Sequence, residues 1–545
     1  MCEESGCHDQ VPGVMTEAEG RLGYPSRSFG AHRLFASAGG CVDSACRQRD
    51  LLPLPPVSSV SGVADRHGSS RPAARRRLKR AYIEEWAEDC VQALNEMFSG
   101  HGEVNGKPAH GPTVMQRCAL RHILKSCAAM GKPPADLTCE GALDGLLANK
   151  SYQGQPIALA PLDVDLLSLP VAGSVPTDLA SLLGGSGAAM VEEFVKCKVL
   201  PEEEAAEKLR KSRVVKPYMD PGVARDKRKY AELLRRLDQA GMLSWKRSGR
   251  PSCGLFTVWK KAKEGVRKQR LIVDCRRANE TFGPPEPVRL ATGQSLGSIE
   301  VDSGGEVPMP VHIGQVDIKD AFYNMLLPPC LQGAFCLPAV PAGRVGHTMV
   351  EGDKVRSEDL IFPVFRCVPM GWTHALWWCQ VAHEKAAGAA HDAVTEESKV
   401  NDRKVAPILR GSSVAHTEYV DNFGAFSLDR DRAAEVVTAV DGELRRRGWP
   451  LHPIEVTAGG ELLGWTFGED TPTMRVTPAR AWKLRLGIEG LLARGACSGD
   501  EMRALIGSCT FAGLIRRESM SVFSAVYAFM DRYAHRRHTT PKGSY

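Results

Sequence analysis

No run of eighteen apolar residues occurs in the chain, so a transmembrane helix is not expected. Met1-Cys2-Glu3-Glu4-Ser5 brings neither a basic leader nor an apolar stretch behind it, so a secretory signal is not expected either. C-x-x-C spacing is absent. The 17 cysteines are odd in number and scattered, which reads as reduced thiols of an intracellular protein, cytoplasmic or nuclear, without a zinc knuckle. Acidic residues are scarce between positions 208 and 277. There, 22 Lys/Arg stand against 6 Asp/Glu, a local +16 in a chain of net +6, which leaves the rest at −10. Such a block is either a track for a polyanion or a solvated helix face with a lysine-rich loop.

What is present suffices for two to four domains: 545 residues, 43% of them hydrophobic. Residues 1–74 are rich in Gly, Ser and Pro and are expected to lack structure, with Leu51-Leu52-Pro53-Leu54-Pro55-Pro56 as their only apolar cluster. Arg75-Arg76-Arg77-Leu78-Lys79-Arg80 reads as a nuclear-import signal, a nucleic-acid arm or the charged start of a helix. Helical spacing recurs over 81–98 and 113–130, with shorter pieces at 143–147, 179–183 and 190–199, so residues 75–200 form a helical accessory region. Residues 201–475 mix strands and helices, 476–535 are helical, and 536–545 are a basic tail.

Within the mixed region, Leu255-Phe256-Thr257-Val258-Trp259 and Arg270-Leu271-Ile272-Val273-Asp274 read as two strands joined by a turn containing Lys260, Lys261 and Lys263. A hairpin with basic residues at its tip can fold over a triphosphate. Val316-Asp317-Ile318-Lys319-Asp320-Ala321-Phe322-Tyr323 reads as the end of a strand, with Asp317 at its rim and Asp320 beyond. Glu418-Tyr419-Val420-Asp421-Asn422-Phe423-Gly424-Ala425-Phe426 alternates, turns at Asp421-Asn422 and alternates again: a β-hairpin with a carboxylate at its tip. Carboxylates on two strands far apart in sequence are what two-metal phosphoryl transfer requires. Each alone is equally a cap or turn residue. Between them, Gly371 in Pro369-Met370-Gly371-Trp372 sits where a strand turns into a helix and permits close backbone approach.

The order of these motifs over residues 216–532 resembles a reverse transcriptase of the retroelement type. The resemblance implies an α+β right-hand polymerase with an antiparallel palm sheet, fingers and a helical thumb. Residues 498–530 are similar to the thumb of retrotransposons of the tyrosine-recombinase class. It further implies RNA-directed DNA synthesis from dNTPs on a primed RNA or DNA template, with two Mg²⁺ or Mn²⁺ ions. Asp317 and Asp421 would be metal-binding carboxylates, the Ile318 carbonyl a further ligand, and Asn422 the hairpin's last catalytic position. Lys263 and Arg270 would meet the triphosphate. Asp320 and Ala321 would meet it through backbone amides, Phe322 would gate the sugar, and Met370 and Gly371 would shape the nucleotide pocket. Gln380, Tyr419 and the primer-grip-like Leu463-Gly464-Trp465 would face primer or template.

Three positions depart from the family's pattern. Asn422 replaces a second Asp, Met370 a glutamine or aromatic, and Glu455 a lysine near the triphosphate. They motivate a rival reading, a catalytically silent nucleic-acid-binding relative. An RNA-dependent RNA polymerase is disfavoured by the bulk of Phe322 and by Tyr419. No ribonuclease H, protease, integrase or recombinase segment is recognised, no membrane contact is expected, and protein partners are not indicated.

Overall fold

Apolar spacing in the N-terminal third builds helices that end up against the far end of the chain. The computed structural model describes residues 51–60, 71–99, 111–147, 159–214, 216–260, 267–305, 309–535 and 538–539. Helix α1 (Arg71–Ser99) and helix α2 (Val114–Ala129) pack through Ala87, Val91, Leu120 and Cys127. Thr113 and Gln116 start α2 with a reciprocal capping box. Residues 51–60, expected to lack structure, instead seat Leu54 and Val57 in this small core. The Asn95 side chain brackets the Leu54 backbone at 2.6 and 2.8 Å, and Glu88 accepts the Val57 N–H at 2.8 Å. Two buried apolar residues, Leu54 and Val57, whose backbone groups are taken by Asn95 and Glu88, anchor a Pro-rich segment whose composition reads as a tail.

Helix α3 (Cys139–Leu147) lies on a C-terminal helix described below. The rest of the accessory stretch joins the main body: Leu179, Leu182, Leu183 and Phe194 enter the largest core. The described residues between 75 and 200 are mostly helical and are divided between two partners. Helix α4 (Lys227–Gln239) is amphipathic as read, burying Tyr230, Leu233, Leu234 and Leu237 and turning its cations outward.

Strands β1 (Gly254–Trp259) and β2 (Gln269–Asp274) pair antiparallel from Gly254↔Asp274 to Trp259↔Gln269, and Leu159–Ala160 adds a short edge. The central sheet comprises β3 (His312–Asp317), β4 (Val414–Tyr419), β5 (Asn422–Ser427) and β6 (Glu455–Ala458), in the order β4-β5-β3-β6 and antiparallel throughout. Helices α5 (Ala375–Ala390) and α6 (Arg430–Arg446) cover one face, burying Val316, Phe423 and Ala425 against Val436 and Val437. A Cβ at Gly314 would lie 2.7 Å from the Ala433 carbonyl oxygen, so glycine is what lets α6 approach. The other face is capped by a small sheet of β7 (Gly460–Leu462), β8 (Trp465–Phe467) and β9 (Met474–Val476), which shares a core with Ile313 and Phe426. This cap covers the Ile313 end of the face and leaves the Asp317 end half-exposed.

The C-terminal layer consists of α7 (Pro478–Arg494), α8 (Gly499–Gly513) and α9 (Ser524–Arg532). Helix α3 presses into α7, where a Cβ at Gly487 would meet Leu146 Cδ1 at 2.3 Å and one at Gly490 the Cys139 oxygen at 2.6 Å. Trp86 and Trp482 touch with ring centroids 4.6 Å apart, and Arg485 pairs with Asp89 at 2.8 Å. The architecture is mixed α+β, and all described residues lie in one unit, residues 47–545. Among the described residues no helix is long and apolar enough to cross a membrane.

Candidate active site at the open end of the central sheet

The ladder between β3 and β5 sets Asn422 directly opposite Asp317. Asp421 immediately precedes, in the tight turn that links β4 to β5, and its carbonyl accepts the Ile318 N–H at 2.8 Å. Two segments far apart in sequence thus bring Asp317 and Asp421 to one edge. Burial, then the neighbouring Asp421 and Asp320 carboxylates, push the Asp317 pKa up to about 6. Among the described residues no Lys or Arg pairs with Asp317 or Asp421; the imidazole of His452 lies 4.0 Å from Asp317 Oδ2. Asn422 Nδ2 donates to Asp421 Oδ1 at 3.0 Å. An aspartate there would place a third anion against the same pair.

Asp320 starts the turn Ala321–Asn324 with a left-handed φ of +45°. The turn is held from inside: buried Asn324 donates to the Lys319 and Asp320 carbonyls at 2.9 and 3.1 Å, and Tyr323 donates its hydroxyl to the Leu271 carbonyl at 2.9 Å. Ala321 is buried, and Phe322 lies half-buried against the main core.

The basic hairpin overlooks this edge. Arg270 is exposed on β2. Lys263 lies outside the described residues. Lys260, read from the sequence only as one of the basic turn residues and given no role of its own, donates from Nζ to Ser168 Oγ at 2.7 Å. Burial lowers its pKa, the field of Asp320 opposes that shift, and Arg270 and Lys268 reinforce it. Register was the available signal: Val258 pairs with Arg270 and the Lys260 N–H reaches the Lys268 carbonyl, so Lys260, Lys268 and Arg270 share a face.

Gly371 has φ +153°, and a Cβ there would stand 2.1 Å from the Val273 oxygen of β2, so the close approach expected of it is real. Asn279 clamps the junction, donating to the Gly371 carbonyl at 3.0 Å and accepting the Thr373 N–H at 3.1 Å. Met370 is half-buried against the main core.

Two of the residues expected to face primer or template lie inside the protein. Gln380 is 2% exposed, and its Oε1 accepts the Val420 N–H at 2.8 Å, so it supports the hairpin from within. Trp465 is 2% exposed and stacks on Phe511 at 4.5 Å, so it belongs to the core. Leu463 and Gly464, at φ +52° and +81°, form the turn between β7 and β8 and stay partly exposed, as does Tyr419. Glu455 sits opposite Gln315, which donates to it at 3.1 Å, and its charge is not among those acting on Asp317.

Among the described residues no three His, Cys, Asp or Glu side chains converge as a metal cage. The donor set nonetheless fits a hard divalent ion. Mg²⁺ is commonly held by one or two carboxylates and completed by substrate phosphates, and burial, then the Asp421 and Asp320 carboxylates, disfavour the bare Asp317 anion that a cation would stabilise.

No protein-family model matches the chain, and no curated protein matches it. Among solved structures, 351 chains match. One is the foamy viral protease-reverse transcriptase dRH in complex with double-stranded DNA, at TM-score 0.39 and 13% identity over 72% of this chain; the match spans 60% of that chain's length.

Proposed function

We propose that the chain is a template-directed DNA polymerase of the reverse-transcriptase type, transferring a nucleotidyl group from a dNTP to a primer 3′-hydroxyl. The observation that carries this reading is the meeting of Asp317 and Asp421 at one sheet edge, without a Lys or Arg partner among the described residues, below a cationic hairpin. Asp317, Asp421 and the Ile318 carbonyl would hold the ions. Two divalent ions, Mg²⁺ or Mn²⁺, would supply activation of the hydroxyl and neutralisation of the triphosphate. Arg270 and Lys260 would bind the triphosphate, with Lys263 as a further candidate. Phe322 would exclude a 2′-hydroxyl. The basic surface of α4 would hold an RNA–DNA duplex through its phosphates, hence in a salt-dependent and sequence-tolerant way.

Asn422 favours a second reading, a silent relative that binds nucleic acid. An amide oxygen brings no charge, so the site should hold Mg²⁺ weakly and gain from Mn²⁺. Primer extension on poly(rA)/oligo(dT) by the wild type and Asn422→Asp, in each metal, separates the two. The polymerase reading expects low activity in Mg²⁺, raised both by Mn²⁺ and by Asn422→Asp. If both proteins are inert in both metals while still binding the duplex, the binding-module reading stands.

A further inference from the structure

Asp421 is presented by a turn that its own sequence disfavours. Val420 has φ +60°, a left-handed conformation that β-branched residues rarely adopt. Both backbone polar groups of Val420 are taken by side chains of α5. Its N–H goes to Gln380 Oε1 at 2.8 Å; its carbonyl accepts from His383 Nδ1 at 3.0 Å and, more weakly, from Cys379 Sγ at 3.6 Å. A carbonyl can only accept, so His383 carries its proton on Nδ1, and Nε2 is buried without a partner. Gln380 is fixed in turn. Its amide nitrogen donates to the Glu418 carbonyl at 3.0 Å and to Glu384 Oε1 at 2.8 Å. Lys399 reaches Glu384 at 2.7 Å and Glu418 at 3.4 Å, and His416 reaches Glu418 at 2.9 Å. Gln380, His383, Lys399, His416 and Glu418 are all buried.

We propose that Gln380 and His383 are positioning residues: by holding Val420 left-handed, they set where the Asp421 carboxylate points, and the Lys399–Glu384–Glu418 cluster keeps Gln380 in register. What the positioned carboxylate does rests on the polymerase reading; that the clamp holds the turn does not.

The clamp matters only while residue 420 resists its conformation. Glycine and asparagine accept φ near +60°. The experiment is a set of double-mutant cycles pairing Gln380→Met with Val420→Gly and, in case loss of the buried valine unfolds the hairpin, with Val420→Asn. Amide hydrogen exchange over residues 418–423, Mn²⁺ titration, and extension kinetics are the readouts. With Val420 present, Gln380→Met should speed exchange of the turn, weaken Mn²⁺ binding and lower the extension rate at saturating dNTP, each on the order of tenfold, with KM little changed. In the Val420→Gly or Val420→Asn background the same change should cost under about threefold, because the cycle removes the strain that coupled the two sites. His383→Asn, whose amide can donate from near the Nδ1 position, should retain the wild-type values, and His383→Phe should not. Equal losses in every background would reduce both residues to ordinary core positions and overturn the proposal. If no protein extends a primer, the exchange cycle still decides on the clamp, and the polymerase reading alone fails.

Discussion

Glu418 and Asp317 lie on either side of one hairpin and are treated in opposite ways. Glu418 is 1% exposed, behind the sheet. Burial would raise its pKa, but the His416 hydrogen bond and charge, then Lys399, hold it down to about 2. Asp317 is half-exposed at the front, where burial and two further carboxylates hold it up to about 6. The protein therefore pairs the acid it buries for structure. It crowds the acids at the open edge, where an arriving cation would relieve them.

The sharpest way to break this contrast is to neutralise the front. Asp317→Asn or Asp421→Asn should cut primer extension by about a thousandfold or more, since metal stabilisation supplies several kcal/mol of the barrier reduction. Circular dichroism and thermal melting should show an intact fold, and in metal-free buffer Asp317→Asn should melt no lower than wild type. An active double Asn variant would remove the site from this edge.

Neutralising the back should do the reverse. Glu418→Gln or Lys399→Met leaves a buried partner charge unmatched, and should cost about 3–5 kcal/mol of unfolding free energy. Denaturant melts in metal-free buffer check this, and a loss below about 1 kcal/mol would mean that the cluster is hydrated rather than buried.

The two acids should also differ in the sign of their pH dependence. Asp317 has a raised folded pKa, so in metal-free protein the stability it contributes is full below its unfolded pKa near 4 and is lost as pH rises through about 6. Glu418 has a depressed one, so its contribution is present above about 4.5 and is lost as pH falls toward about 2. A metal must displace the Asp317 proton. Mn²⁺ affinity should therefore rise by up to about tenfold per unit between pH 5 and 6 and level off above. Asp317→Asn should flatten that rise, and an unchanged profile in the variant would assign the proton elsewhere.

Much of the front was legible in the sequence, because period-2 alternation on both sides of Asp421-Asn422 leaves few other readings. Lys260 was legible as a basic turn residue, and that it shares a face with Arg270 was one register argument away. The back was not legible. Gln380, Glu384, Lys399, His416 and Glu418 come from one helix, one loop and one strand, and each alone looks like a polar surface residue. Local periodicity carries no information about which polar side chains meet across elements. The same blindness hid the docking of α3 on α7, where the space left by Gly487 and Gly490 is filled by Leu146 and the Cys139 backbone.

That docking has a consequence for how the protein is made. Gly145 accepts from Lys483 Nζ across 338 positions of chain, and Met130 from Trp482 across 352. The helices that leave the ribosome early must wait for a partner synthesised roughly 20–70 s later, at about 5–20 residues per second. During that interval Leu143 and Leu146 have no surface to cover them, and the nascent chain has every reason to meet a chaperone or another copy of itself first.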